Sequence, residues 1–159
     1  MRWAIILVAM TGLVASALAL HEHYRVGASP CSINEKWDCG TVNKSPYAVV
    51  GGLLEPPGPD VHPEQHKGLF ALVSKIPIAD VGIAGYVLLA LLAFKRWWPA
   101  LVVASVGALG FSLYLAHVEK DILGVWCIYC VISLGAISVL TLLSLVALIV
   151  DLRKPQPAR

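Results

Sequence analysis

Four long apolar stretches, divided by polar breaks, organise this chain. The first runs from Trp3 to Leu20 and the second from Pro77 to Phe94. A basic break, Lys95-Arg96, separates the second from the third, which extends from Trp97 to about Val118; the fourth runs from Trp126 to about Val150. Each is close to the ~20 helical residues needed to cross a hydrocarbon layer. Pro77 suits a first helical turn, where its missing N–H is not needed. The pattern predicts an all-α fold, a membrane four-helix bundle forming a single domain over residues 1–159, with one sizeable extramembrane loop from His21 to Ile76.

Inside that loop, Gly51-Gly52, Pro56-Pro57-Gly58-Pro59 and Pro63 predict irregular chain. Glu64 to Ser74 carries Leu69, Phe70, Leu72 and Val73, a pattern for a short surface helix that could lid the bundle. The first stretch has an alternative reading as a cleaved signal peptide, because Met1-Arg2 precedes it and Ala15-Ser16-Ala17 resembles a cleavage site. It is long for a signal core and three further spans follow, so a retained helix is expected. Gly82, Gly85, Gly107, Gly110, Ser133 and Gly135 are small residues that allow close helix approach in lipid.

Composition supports the membrane reading. Hydrophobic residues make up 58% of the 159 and charged residues 14%, with a mean hydropathy of +0.75, outside the range of soluble globular chains. The formal net charge is only +2, and no segment gathers Lys and Arg on one face, so no nucleic-acid partner is expected. Arg2, Lys95, Arg96, Arg153, Lys154 and Arg159 crowd the short segments on one side of the spans. Arg25, Lys36, Lys44, Lys67, Lys75 and Lys120 are spread along the other side among acidic residues. The counts tie, so density near the helix ends decides. Both termini are then cytoplasmic, and the loop with all four cysteines is extracytoplasmic.

Those cysteines carry the chemistry. Cys31 and Cys39 lie in the polar loop; Cys127 and Cys130 open the fourth span as Trp126-Cys127-Ile128-Tyr129-Cys130. Cysteines in an oxidising compartment form lasting disulfides, and a helix N-terminus favours the thiolate that exchange requires. Two dithiols on one membrane face, one in a loop and one at a helix mouth, suit passage of electron pairs from a soluble protein to a carrier in the lipid. Exchange proceeds through a mixed disulfide, so one pair must reach the other. The blander reading makes Cys31 and Cys39 a structural staple. Zinc would call for paired knuckles, which the wide loop spacing does not offer, and no metal site is expected. His62 and His66 have i,i+4 spacing, but Pro63 disfavours a helix through both. Trp37, Trp97, Trp98 and Trp126 read as interfacial anchors. Asp80, the one acidic residue in the second span, is either a candidate for orienting a quinone or a first-turn carboxylate stabilised by the helix dipole.

The order Cys31-x7-Cys39, Val42, Ser45-Pro46-Tyr47, Ile76-Pro77, Gly82, Tyr86, Tyr114-Leu115, Glu119 and Trp126-Cys127-Ile128-Tyr129-Cys130 resembles the vitamin K epoxide reductase (VKOR) family. It is most similar to bacterial members that oxidise thioredoxin-fold partners, here expected without the fused thioredoxin-like domain that many of them carry. The other bacterial disulfide oxidase family has its Cys-x-x-Cys before the wider pair, the reverse of this order. The resemblance implies that Cys31 meets a thioredoxin-fold (DsbA-like) periplasmic protein and that Cys39 attacks Cys127. It implies that Cys130 passes electrons to a membrane quinone, ubiquinone or menaquinone. Ser45 matches a serine the family uses near the active disulfide, although a loop hydroxyl capping the backbone before Pro46 reads equally simply. Ile78 and Leu134 stand where the vertebrate enzymes have asparagine and tyrosine, which favours plain quinone reduction over epoxide reduction. The expected protein is a multi-pass disulfide-forming oxidoreductase of a bacterial inner membrane; the alternative is a non-catalytic four-span scaffold braced by disulfides.

Overall fold

A computed structural model describes residues 1–54 and 72–153 of the chain. Four long helices form the body: α1 (Arg2–Tyr24), α4 (Ile78–Phe94), α5 (Trp98–His117) and α6 (Ile128–Leu152). Between α1 and α4 lie two short helices, α2 (Cys39–Lys44) and α3 (Val50–Leu54), joined by a 3₁₀ turn at Pro46–Ala48. A wider π-type turn, Val118–Leu123, prolongs α5. Only isolated bridges and no β-strand occur among the described residues, so the fold is all-α. The surface helix expected over Glu64–Ser74 falls largely outside the described residues, as do His62, His66 and the Pro/Gly tract.

Helices α1 and α6, and α5 with its π-type turn, are each long and apolar enough to cross a membrane. Helix α4 has 17 residues, about 25 Å at 1.5 Å per residue, slightly under a typical hydrocarbon thickness. The exterior is apolar: Leu7, Val103 and Leu142 are 69%, 74% and 64% exposed. In water such a surface would drive aggregation; in lipid it costs nothing. The chain is a multi-pass membrane protein.

The first span runs past Leu20 to Tyr24. The extension is stabilised by Glu22, which is buried and lies 3.7 Å from Arg25, and by His23, whose Nδ1 meets the Asn43 carbonyl. Helix α1 packs on both α4 and α6, while α5 packs chiefly on α6. The core between them is built from Ile5, Ala9, Leu89, Ala93, Leu101, Ile137 and Leu140. Polar contacts tie α5 to α6: Thr141 Oγ1 donates to the Ser105 carbonyl at 3.2 Å, and the Ser105 and Ser144 hydroxyls lie 3.1 Å apart. Such bonds replace the missing hydrophobic drive between helices in lipid.

Close approach is concentrated on α1. A Cβ on Gly82 would lie 2.8 Å from Ser16 Oγ, and one on Gly12 would overlap the Tyr86 ring. Gly12 was not singled out by the sequence pattern. Gly85, Gly107, Gly110 and Gly135 meet open space instead, so they do not serve as the packing positions expected of them. On the opposite end of the bundle, α4 stops at Lys95 and Arg96 takes a left-handed conformation (φ 60°) that turns the chain into α5.

Candidate active site

The loop that carries the first cysteine pair is docked against the start of α6 by backbone. Asn34 makes a tight turn, its Oδ1 accepting from the amides of Lys36 (3.0 Å) and Trp37 (3.1 Å). Trp37 then bridges Trp126 in parallel, with the Trp126 amide on the Lys36 carbonyl at 2.8 Å and the Asp38 amide on the Trp126 carbonyl at 3.0 Å. The two indoles pack 6.5 Å apart. Each of these segments leads directly into a cysteine, Cys39 on one side and Cys127 on the other. The bridge therefore fixes their relative position.

Asp38 sets the angle at which Cys39 enters α2. As N-cap it accepts from the Gly40 amide (2.9 Å), the Thr41 amide (3.2 Å) and Thr41 Oγ1 (2.6 Å), and from the Ser32 hydroxyl. These donors stabilise the carboxylate, Ser32 most and Thr41 next, and hold its pKa at about 2 against an ordinary 3.8. A depressed carboxylate pKa contributes stability above its unfolded value that is lost as pH falls through the folded one. The cap should therefore persist down to about pH 4 and fail between there and about pH 2. Hydrogen-exchange protection of the Gly40 and Thr41 amides, corrected for intrinsic rates, should disappear over that interval; in Asp38→Ala it should be low at every pH. Protection that stays constant through the interval would contradict the assigned cap.

Cys31 and Cys39 are disulfide-bonded with Cα atoms 5.5 Å apart, and Cys127 and Cys130 are thiols. Cys39 and Cys127 are both fully buried, in one cluster with Cys31 and Val42; Cys130 packs against it. Cys31, 5% exposed, is covered as well. Of the two inner thiols, Cys130 alone lines the cavity described below.

Two residues without an assigned role in the sequence pattern sit between the pairs. Asn43 is buried, and its Nδ2 donates to the Cys39 carbonyl at 2.8 Å and to Cys127 Sγ at 3.4 Å. The signal for it was its place one helical turn after Cys39. Glu119, 3% exposed, accepts from the Cys127 amide at 3.0 Å and lines the same cavity as Cys130. The π-type turn widens the backbone at this point, and Gly124, with φ 68°, ends it. Both the Gly124 and Val125 amides return to the Glu119 carbonyl. Turns of this kind recur at functional sites.

A cavity of about 250 Å³ opens beside Cys130, walled mostly by apolar side chains of α1, α4, α5 and α6. Its size is near the lower end of small-molecule sites, ~300 Å³. Ile78 and Leu134 both line it. The two positions where the vertebrate enzymes carry polar groups thus face the cavity here with hydrocarbon. Tyr86 forms part of the wall and donates its hydroxyl to the Ser133 carbonyl at 2.8 Å. Ser45 also lines the cavity, while its Oγ donates to the Val42 carbonyl at 2.8 Å, capping the end of α2. Asp80 stands in the first turn of α4, outside the lining.

The wall is mostly apolar, with one thiol and a few hydroxyls among its lining residues. The model of the vitamin K epoxide reductase family aligns with residues 3–145, which include every cysteine and the cavity wall. No curated protein matches the chain.

Proposed function

The chain belongs to the vitamin K epoxide reductase family, and from that premise we propose that it is a quinone-dependent thiol oxidase that reoxidises a thioredoxin-fold protein. Members of the family are membrane redox proteins that in general use quinones and work with thioredoxin-like partners. The observation that carries the reading is the junction of the two pairs: Cys39 and Cys127 are buried in one cluster, and Cys130 faces the apolar cavity.

A reduced partner attacks the Cys31–Cys39 disulfide at Cys31 and leaves oxidised, with both loop cysteines as thiols. Because Cys31 is covered in the docked loop, this step requires the loop to lift around Cys31. Cys39 then attacks Cys127 of the inner disulfide, and Cys130 leaves as a thiolate. Attack of Cys31 on Cys39 restores the loop disulfide and frees Cys127. The result is a loop disulfide with an inner dithiol. A bound quinone, ubiquinone or menaquinone, supplies the sink for two electrons and two protons. Ile78 and Leu134 offer no hydrogen bond to an epoxide oxygen, which supports plain quinone reduction. Ser45 contributes by holding the end of α2, and Asp80, in the first turn of α4, is the candidate carboxylate for orienting the quinone. Both termini lie in the cytoplasm of a bacterium and the cysteines in the periplasm.

Asn43 spans the two pairs, so its loss should slow the internal exchange. Cys127 Sγ, to which Asn43 donates, becomes a thiolate when Cys31 displaces it. A hydrogen bond to a charged group contributes about 1.5–3 kcal/mol, or roughly tenfold or more in rate. Asn43→Ala should slow transfer from loop dithiol to inner disulfide by about that factor, measured by rapid alkylation quench; an unchanged rate would remove Asn43 from the relay.

The central test combines purified protein, a reduced thioredoxin-fold substrate and a quinone. Loss of quinone absorbance matched by thiol consumption is the expected result; inert disulfides would identify a braced scaffold instead. In the same assay, Cys31→Ser and Cys39→Ser should lose activity with the folded substrate more than with dithiothreitol, which is small enough to reach the inner pair. Equal loss with both reductants would make the loop pair structural.

A further inference from the structure

We propose that Glu119 is the proton-transfer residue of the inner cysteine pair, giving a proton to Cys130 when that sulfur leaves and taking it back when the pair is reoxidised. The inference rests on the thiol relay above, and concerns a carboxylate to which the relay itself assigns no work. Glu119 is 3% exposed at the end of a membrane-spanning helix, and no ion pair to it occurs among the described residues. Burying an unpaired carboxyl is expensive, and an ionisable group at this depth is a functional candidate by default. Its hydrogen-bond partner is on the Cys-x-x-Cys turn, the Cys127 amide at 3.0 Å, and its carboxyl lines the same cavity as the Cys130 thiol, within electrostatic reach of it. The hydrogen bond holds the carboxyl on the Cys-x-x-Cys turn, beside the reacting sulfur.

The surroundings leave no rival for the task. Glu119 is the one carboxyl on the cavity wall among the described residues, and no Lys or Arg lines it. The other titratable groups there are His23 from α1, Tyr47 from the loop, Tyr86 from α4 and Tyr129 from α6. His23 is committed to the Asn43 carbonyl and Tyr86 to Ser133. Neither contacts Cys130.

The balance is as follows. When Cys39 attacks Cys127, the Cys127–Cys130 bond breaks, the bonding pair stays on Cys130 Sγ, and the carboxylic acid of Glu119 delivers a proton to it. On reoxidation Glu119 removes that proton, the Cys127–Cys130 bond reforms, and two electrons leave for the acceptor. Two protons follow: one from Cys127, which received it from Cys31, and one passed on by Glu119, which is reprotonated by the proton Cys39 sheds when it next attacks. Glu119 ends as it began.

A purely structural role, accepting from the Cys127 amide, is one that glutamine also fills. The decisive variant is therefore Glu119→Gln, in a Cys31→Ser/Cys39→Ser background where only the inner pair reacts. Reduction of the inner disulfide by dithiothreitol, without quinone, is followed by alkylation of the released thiols. General acid–base catalysis contributes about 10²–10⁴-fold, so Glu119→Gln should react about a hundredfold more slowly. Its pH profile should lose the limb due to a carboxyl, and Glu119→Asp should recover part of the rate. The same comparison in the four-cysteine protein, by peptide mapping of Cys127 and Cys130, guards against misfolding of the background. A Glu119→Gln rate within about threefold of the parent, with an unaltered profile, would overturn the proposal and leave Glu119 as a cap. Because this step needs no quinone, it separates from the proposed function: a parent that exchanges thiols normally but never reduces quinone sinks the latter alone.

Discussion

Cys130→Ser should abolish quinone reduction with every reductant, by more than about a hundredfold. The reason is positional. Cys130 is the cysteine on the cavity wall, whereas Cys39 and Cys127 are fully buried behind it and Cys31 is covered by the docked loop. A serine cannot form the disulfide whose closure releases two electrons. The loop pair, absent from the cavity lining, cannot substitute. Cys127→Ser should be equally inactive, because it removes the other half of the same bond. Purified variants assayed with dithiothreitol and a short-chain quinone would check this. If either keeps more than a small fraction of the parent's activity, the inner pair is not the donor.

The second large effect is the accumulation of a species rather than the loss of a rate. In the double variant Cys31→Ser/Cys130→Ser, the two thiols that resolve the mixed disulfide are both gone. Cys39 and Cys127 remain, buried in one cluster and flanked by the Trp37–Trp126 bridge, with Asn43 bonded to the Cys39 carbonyl and to Cys127 Sγ. A disulfide needs Cα atoms within roughly 7 Å, and the docked loop brings these two chain segments side by side. Under mild oxidant, a Cys39–Cys127 cross-link should become the dominant form, detected by non-reducing peptide mapping as loop joined to the start of α6. Cysteines on opposite membrane faces could never form it. Two free thiols after oxidation would refute the relay and the shared face together.

The long helices were legible because each depends on local properties. An uninterrupted apolar run in lipid has no alternative to satisfying its backbone internally, so α4, α5 and α6 begin within a few residues of the expected positions. The end of α1 was less legible. Its last turn is polar and is stabilised by Arg25 and by Asn43 of α2, neither of which a hydropathy window weighs. Small residues misled for a similar reason: which glycine of a long helix meets a neighbour depends on helix rotation, and within the long helices it is Gly12 and Gly82 that do.

At the site the cysteines stand out as candidates from the sequence, since Cys-x-x-Cys at a helix start has a chemical meaning wherever it occurs. So does the likeness to one family, because its motifs keep their order along the chain. What residue order could not supply was direction. Ser45 was a candidate near the disulfide, and its hydroxyl bonds the Val42 carbonyl; Asp80 was a candidate for the acceptor, and Ile78, Ala79, Val81 and Gly82 line the wall around it.

The sequence by itself determined an all-α membrane bundle with two cysteine pairs, because apolar length and residue chemistry act over a single helix or loop. The resemblance already pointed to Cys130 as the cysteine serving the acceptor; the tertiary structure put a cavity beside it, Asn43 on Cys127 Sγ and Glu119 on the Cys127 amide. Those facts depend on a two-bond bridge between Trp37 and Trp126 and on a widened turn after α5. Both join residues far apart in sequence or alter the phase of a helix, and neither effect is encoded in any one local window.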